Sequence, residues 1–229
     1  MNGKTLIRNA TITTTGGTLT IKGSGTIYSN DSEVTLRANG GNLSVSSVTI
    51  RANKNHVIYA MEGTSGSVSI SSSYVYSNGR SAMRVGGSGA ITITNSYVYT
   101  PVKDKNAIYI YEGCKSAFTI TSSTVCNGIS NTSGENGSGG VATAISYNST
   151  GRLTITNSDI LAGPYSSNAI TIYKPTTVNL TGSTRLYTTN TSNTANGIMI
   201  NTSGVTVNFN ATGYFYCTGS YVANAGDYS

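Results

Sequence analysis

Glu62 and Glu112 end two matching segments, VIYAMEG (57–63) and AIYIYEG (107–113), with AMRVGG lying between them in the sequence. If the segments stack with one winding of chain between them, the carboxylates stand about 10 Å apart, two strand spacings. Inverting glycosidases hold an acid and a base roughly 6.5–9.5 Å apart with water between. The intermediate winding carries Gly87 at the carboxylate position, which leaves a gap. Arg84 is then expected to project outward between Tyr59 and Tyr109. Glu62, Glu112 and Arg84 are therefore the candidate catalytic residues, for hydrolysis or elimination on a polysaccharide. Both glutamates also precede glycine at a predicted turn, where a solvated charge needs no function.

A second constellation is aromatic. One outward row reads Tyr28, Arg51, Tyr76, Tyr99, Cys126, Leu161, Tyr187 and Tyr216, and its neighbour Tyr74, Tyr97, Asp159, Arg185 and Tyr214. Tyrosine offers an apolar ring and a polar hydroxyl edge, and with arginine it favours recognition surfaces. Candidate ligand-binding residues are thus Tyr74, Tyr76, Tyr97, Tyr99, Tyr59, Tyr109, Tyr111, Arg51, Arg185 and Tyr187. Simple cross-strand packing of tyrosines explains the same rows. A third feature is the Thr-x-Thr series Thr92/Thr94, Thr119/Thr121 and Thr154/Thr156. It resembles ice-binding solenoids but also fits ordinary exposed strands.

These residues need elements to position them, and an internal repeat supplies the elements. AITITNSYVY from Ala90 recurs as VSISSSYVY from Val68, FTITSSTVC from Phe118 and LTITNSDIL from Leu153. Looser copies begin at Leu19, Leu43, Val178 and Val207. Each alternates apolar and polar residues, turns at a short polar pair, and alternates again, the period of strands. Central apolar positions Ile21, Val45, Ile70, Ile93, Ile120, Ile155, Leu180 and Phe209 are separated by 24, 25, 23, 27, 35, 25 and 29 residues. A second series, Leu36, Ile58, Met83, Ile108, Ile145, Ile170 and Ile198, predicts another strand in each winding. Before it stand His56, Ser81, Asn106, Thr143, Asn168 and Asn196, expected to be a stacked turn with asparagine in the left-handed region.

Such a repeat predicts an all-β chain folded as a right-handed parallel β-helix, three-sided, with roughly eight coils and a length of about 40 Å. A sandwich would show short alternating strands without the repeat. The whole of 1–229 is read as one domain, with a loop inserted at 130–140 that stretches one interval to 35 residues. The Gly- and Asn-rich end after Phe215 shows no capping pattern, so end-to-end or lateral assembly is expected there.

Coil length and the asparagine-containing turn resemble the right-handed β-helix of the pectin-lyase-like superfamily and related adhesin and phage tailspike modules. The resemblance spans nearly the whole chain and is architectural. It implies a functional face on the first sheet and carboxylates or calcium-binding Asp clusters there in the enzymes. The paired Asp and Gly-His-Gly of polygalacturonase-like enzymes, and the Asp cluster of pectate-lyase-like ones, have no counterpart in this sequence.

Composition narrows the function further. Charged residues are 10%, against about 25% in typical domains. The net charge of +6 is scattered, so a nucleic-acid groove is not expected. A single histidine and three cysteines, Cys114, Cys126 and Cys217, give no metal pattern, disulfide framework or cofactor motif. MNGKTLIRN contains no signal peptide, and no membrane-inserting run appears. The preferred expectation is a non-catalytic extracellular, cell-surface or virion-associated module that binds glycan or a protein partner through its Tyr/Arg-rich face. A polysaccharide-cleaving enzyme and a purely structural solenoid are the alternatives.

Overall fold

The computed structural model describes residues 2–102, 104–128, 142–164, 166, 168–190 and 195–224; the loop expected at 130–140 lies outside them. The described chain is a three-sided parallel β-solenoid of about eight turns. Each turn passes once through three sheets. Sheet 1 holds nine strands from Ile12–Thr14 to Val222–Asn224, and sheet 2 eight from Thr18–Lys22 to Thr206–Ala211. Sheet 3 holds nine, from Lys4–Arg8 to Phe215–Tyr216. Every pairing within the three sheets is parallel, strand on the equivalent strand of the next turn.

The repeat spacing sets this register. Ile21, Val45, Ile70, Ile93, Ile120, Ile155, Leu180 and Phe209 pair in that order down sheet 2. Leu36, Ile58, Met83, Ile108, Ile145, Ile170, Ile198 and Val222 do the same in sheet 1. Alternate residues point inward, and the ladders of Ile, Val and Leu fuse into one continuous core. Removing such a side chain from water contributes roughly 1.5–3 kcal/mol. The outward partners in sheet 2 are hydroxyl rows, Thr92–Thr119–Thr154 among them.

The corner from sheet 2 to sheet 3 is the most regular turn. Ser47, Ser72, Asn95, Ser122 and Asn157 each have φ between 47° and 58°. One left-handed residue rotates the strand direction, and Ser or Asn tolerates it because the short polar side chain bonds locally. In four of the five the next residue is a buried serine, Ser73, Ser96, Ser123 and Ser158, whereas Ser47 is followed by the buried Val48. Each hydroxyl donates to the carbonyl two residues earlier at 2.7 Å. Each also accepts a backbone N–H from the preceding turn, at 3.0–3.2 Å. Polar groups that would be costly to bury are thereby matched in a chain running along the solenoid.

This finding corrects one expectation. The left-handed conformation belongs to the sheet 2/3 corner, and none of His56, Ser81, Asn106, Thr143, Asn168 and Asn196 adopts it. Those residues do form a polar ladder before sheet 1. His56 Nδ1 lies 3.0 Å from the Ser81 carbonyl, and Asn106 accepts the Thr143 N–H at 2.8 Å. The Asn196 amide donates to Asn168 at 2.9 Å.

Candidate functional site

The outward tyrosines of sheet 3 stand in the expected rows. Tyr28, Arg51, Tyr76, Tyr99, Cys126, Leu161, Tyr187 and Tyr216 are successive register partners. Tyr74 stacks on Tyr97 with ring centres 5.0 Å apart and planes within 2°; Tyr76 stacks on Tyr99 at 5.2 Å. The Arg51 guanidinium lies 5.3 Å from the Tyr28 ring centre and 5.6 Å from that of Tyr76, completing a Tyr–Arg–Tyr–Tyr column. Further along, Tyr187 stacks on Tyr216 at 4.7 Å. Arg185 forms a two-pronged ion pair with Asp159, which raises its proton affinity, and lies 5.7 Å from the Tyr214 ring.

Stacking changes what these rings offer. Strand spacing matches ring spacing, so the tyrosines use their faces on one another and leave only edges for contact. Tyr99 points outward yet is only 3% exposed, which makes it a packing partner instead of a contact residue. Tyr74, at 39%, is the open ring of its pair.

Beside the Tyr74–Tyr97 pair runs a shallow groove of about 580 Å³ along the sheet 2/3 corner. Its rim is the left-handed row Ser47, Ser72, Asn95 and Ser122, and its lining contains no charged residue. Burial raises the pKa of both tyrosines, so their hydroxyls stay neutral donors across ordinary pH. The groove escapes a reading by motif because serine at a turn is unremarkable. The recurring SS and NS pairs of successive windings are the signal that marks it.

Sheet 1 carries the other rows. Arg37, Tyr59, Arg84 and Tyr109 are register partners, so Arg84 does lie between Tyr59 and Tyr109. Its guanidinium is 5.0 Å from the Tyr59 ring centre and 3.8 Å from that of Tyr111, and Tyr111 meets Tyr109 edge-on at 5.1 Å. The two glutamates are held separately. Glu62 is 3.9 Å from Arg84, whereas Glu112 accepts a 2.8 Å hydrogen bond from Lys174, two windings on. Between them, a Cβ on Gly86 would fall 2.3 Å from Glu62 Cγ, so glycine leaves the room this carboxylate occupies. The Lys174 hydrogen bond and charge lower the pKa of Glu112. A general acid needs the opposite shift.

Next to these residues, on the turn from sheet 3 into sheet 1, a cleft of about 280 Å³ opens. Arg80, Arg84, Lys105, Tyr109 and Tyr111 line it with His56 behind. Sequence reasoning passed over Arg80 and Lys105, because a charge in a turn reads as solvated. Their 25-residue separation, the same as Arg84 to Tyr109, was the available signal. Cys114 and Cys126 are buried thiols, and no group of three or more metal-ligating residues exists among the described residues.

The fold is a three-sided parallel β-solenoid of about eight turns. Comparison with protein-family models, curated proteins and solved structures gives no match for this chain.

Proposed function

We propose that this protein is a non-catalytic surface or virion β-solenoid that binds a glycan along its outer face, with the sheet 2/3 groove as the binding site. One observation carries this reading: a groove of about 580 Å³, lined by hydroxyls and an amide, free of charge, and backed by the stacked Tyr74–Tyr97 pair. A neutral saccharide is a dense array of hydroxyls with little charge, and a lining of neutral donors and acceptors complements it without desolvating an ion. Tyr74 adds an accessible ring edge beside those partners. Serines at successive windings repeat along the axis, which suits an extended chain of sugar units better than a single small ligand.

The catalytic alternative is not favoured, since each glutamate has its own cation and Glu112 is shifted toward permanent ionisation. The test is a glycan array probed with wild type and with Tyr74→Ala/Asn95→Ala. Binding by wild type to neutral glycans, lost in a variant that keeps its β-sheet circular dichroism, is the expected result. Equal binding by the folded variant, or a protein partner captured in place of any glycan, would overturn the proposal.

A further inference from the structure

The cleft at the turn into sheet 1 has a chemistry that the neutral groove does not share. Arg80 and Lys105 occupy the same position in successive windings, since Arg84 and Tyr109 are register partners four residues further on. Counted from that pair, their backbones fall about one strand spacing apart, ~4.8 Å, and both side chains line the cleft with Arg84. Three cationic side chains thus line one cleft of about 280 Å³. Asp104 on the lining and Glu62 at 3.9 Å from Arg84 offset part of that charge, and leave it positive.

Arg84 is prepared for a ligand in a way a surface arginine is not. Its guanidinium is fixed against the rings of Tyr59 and Tyr111, at 5.0 and 3.8 Å. Its Nε is covered and has no hydrogen-bond partner, and Glu62 stays beyond hydrogen-bond reach. The Nη groups are consequently held in place with their donors unspent. A planar fork pinned in advance loses little freedom when an oxyanion arrives. Asn106 uses its carbonyl oxygen on the Thr143 N–H, so what it has left is a donor. His56 stays neutral at ordinary pH, so the positive charge of the cleft comes from the three long side chains alone: burial, then the nearby Arg84, Arg80 and Lys105, lower its pKa to about 4.

We infer that this cleft is a site for a compact tetrahedral oxyanion, a sulfate or phosphate group, gripped by Arg80, Arg84 and Lys105. Three cationic side chains around one cleft favour an anion with three or more oxygens over a carboxylate with two. The inference does not depend on glycan binding in the groove, which lies at a different corner of the solenoid.

Thermal-shift titration and calorimetry with sodium sulfate, sodium phosphate and sodium acetate test it, against sodium chloride of equal ionic strength. Glucose 6-sulfate and glucose 6-phosphate then distinguish the two sources of the group. Wild type should show saturable stabilisation by sulfate or phosphate beyond chloride, with acetate weaker. Apparent affinity should fall about tenfold in Arg80→Ser/Lys105→Ser. Arg84→Lys, which keeps the charge and loses the fork, should weaken binding while leaving the fold intact. Lys115→Ser/Arg152→Ser, exposed and outside the cleft, should bind as wild type does. Stabilisation no greater than that by chloride, equal stabilisation by acetate, or full binding by the folded Arg80/Lys105 variant would overturn the assignment.

Discussion

The two corners that flank sheet 3 recur with the same winding period, differ in backbone, and come out chemically opposite. Where sheet 2 meets sheet 3, the turn is a single left-handed Ser or Asn followed in four of the five by a buried serine, and the groove outside it is uncharged. Where sheet 3 meets sheet 1, the turn is longer and irregular, and its side chains include Arg80, Asp104 and Lys105 around a cleft. A short turn closed by hydroxyls has no space for long side chains; a longer one does. Regularity and charge are thus exchanged at the level of turn length, and each corner presents its own surface chemistry.

The largest effect that would break this contrast concerns acid. The folded pKa of His56, about 4 against an unfolded 6.5, means that the unfolded chain binds the extra proton across that window. Stability is full above pH 6.5 and is lost as pH falls toward 4, by about 3 kcal/mol in total. Denaturant melts at pH 7 and pH 4.5 should show most of that loss in wild type and much less in His56→Asn. The groove corner has no comparable group, and neutral-glycan binding should remain level between pH 6 and 8.

Next in size is the serine ladder. Ser96→Val leaves the Ser73 N–H without its 3.1 Å acceptor. A buried donor stranded in this way costs about 1–3 kcal/mol, readable as a lower denaturation midpoint. Arg51→Ala should cost less, about 1 kcal/mol, because it removes an exposed cation from between Tyr28 and Tyr76. The smallest effect is expected from Glu112→Gln, which takes an exposed carboxylate from its contact with the half-buried Lys174. Its melting curve should overlay wild type, and a clear shift would mean that the pair anchors sheet 1 after all.

The sequence makes the ladder positions plain because spacing and alternation are properties of the chain alone. Ile93 can only lie over Ile70 and under Ile120 once the period is seen, and the tyrosine rows follow from the same counting. What it concealed depends on facts outside the period. Asn95 and Asn106 are the same residue type at turns, yet only Asn95 has positive φ, because only its corner is tight enough to require it. Ser96 and Asn95 are adjacent and both polar; one is buried and one exposed. Tyr99 keeps the outward direction that alternation assigns it and is nonetheless covered. Direction is periodic, whereas enclosure depends on what lies alongside. Glu112 shows the same limit: Lys174 stands four residues past Ile170 as Glu112 does past Ile108, and the period gives that position without giving the reach of its side chain across two windings.

The serine chain at the sheet 2/3 corner has one more consequence. Every hydroxyl there takes its proton partner from the winding before and gives its own proton within its winding, so each junction has the same atomic terms as the next. A gene segment encoding one whole winding can be copied or deleted in frame without creating a new kind of joint. Reach along the axis becomes something lineages can adjust in whole steps.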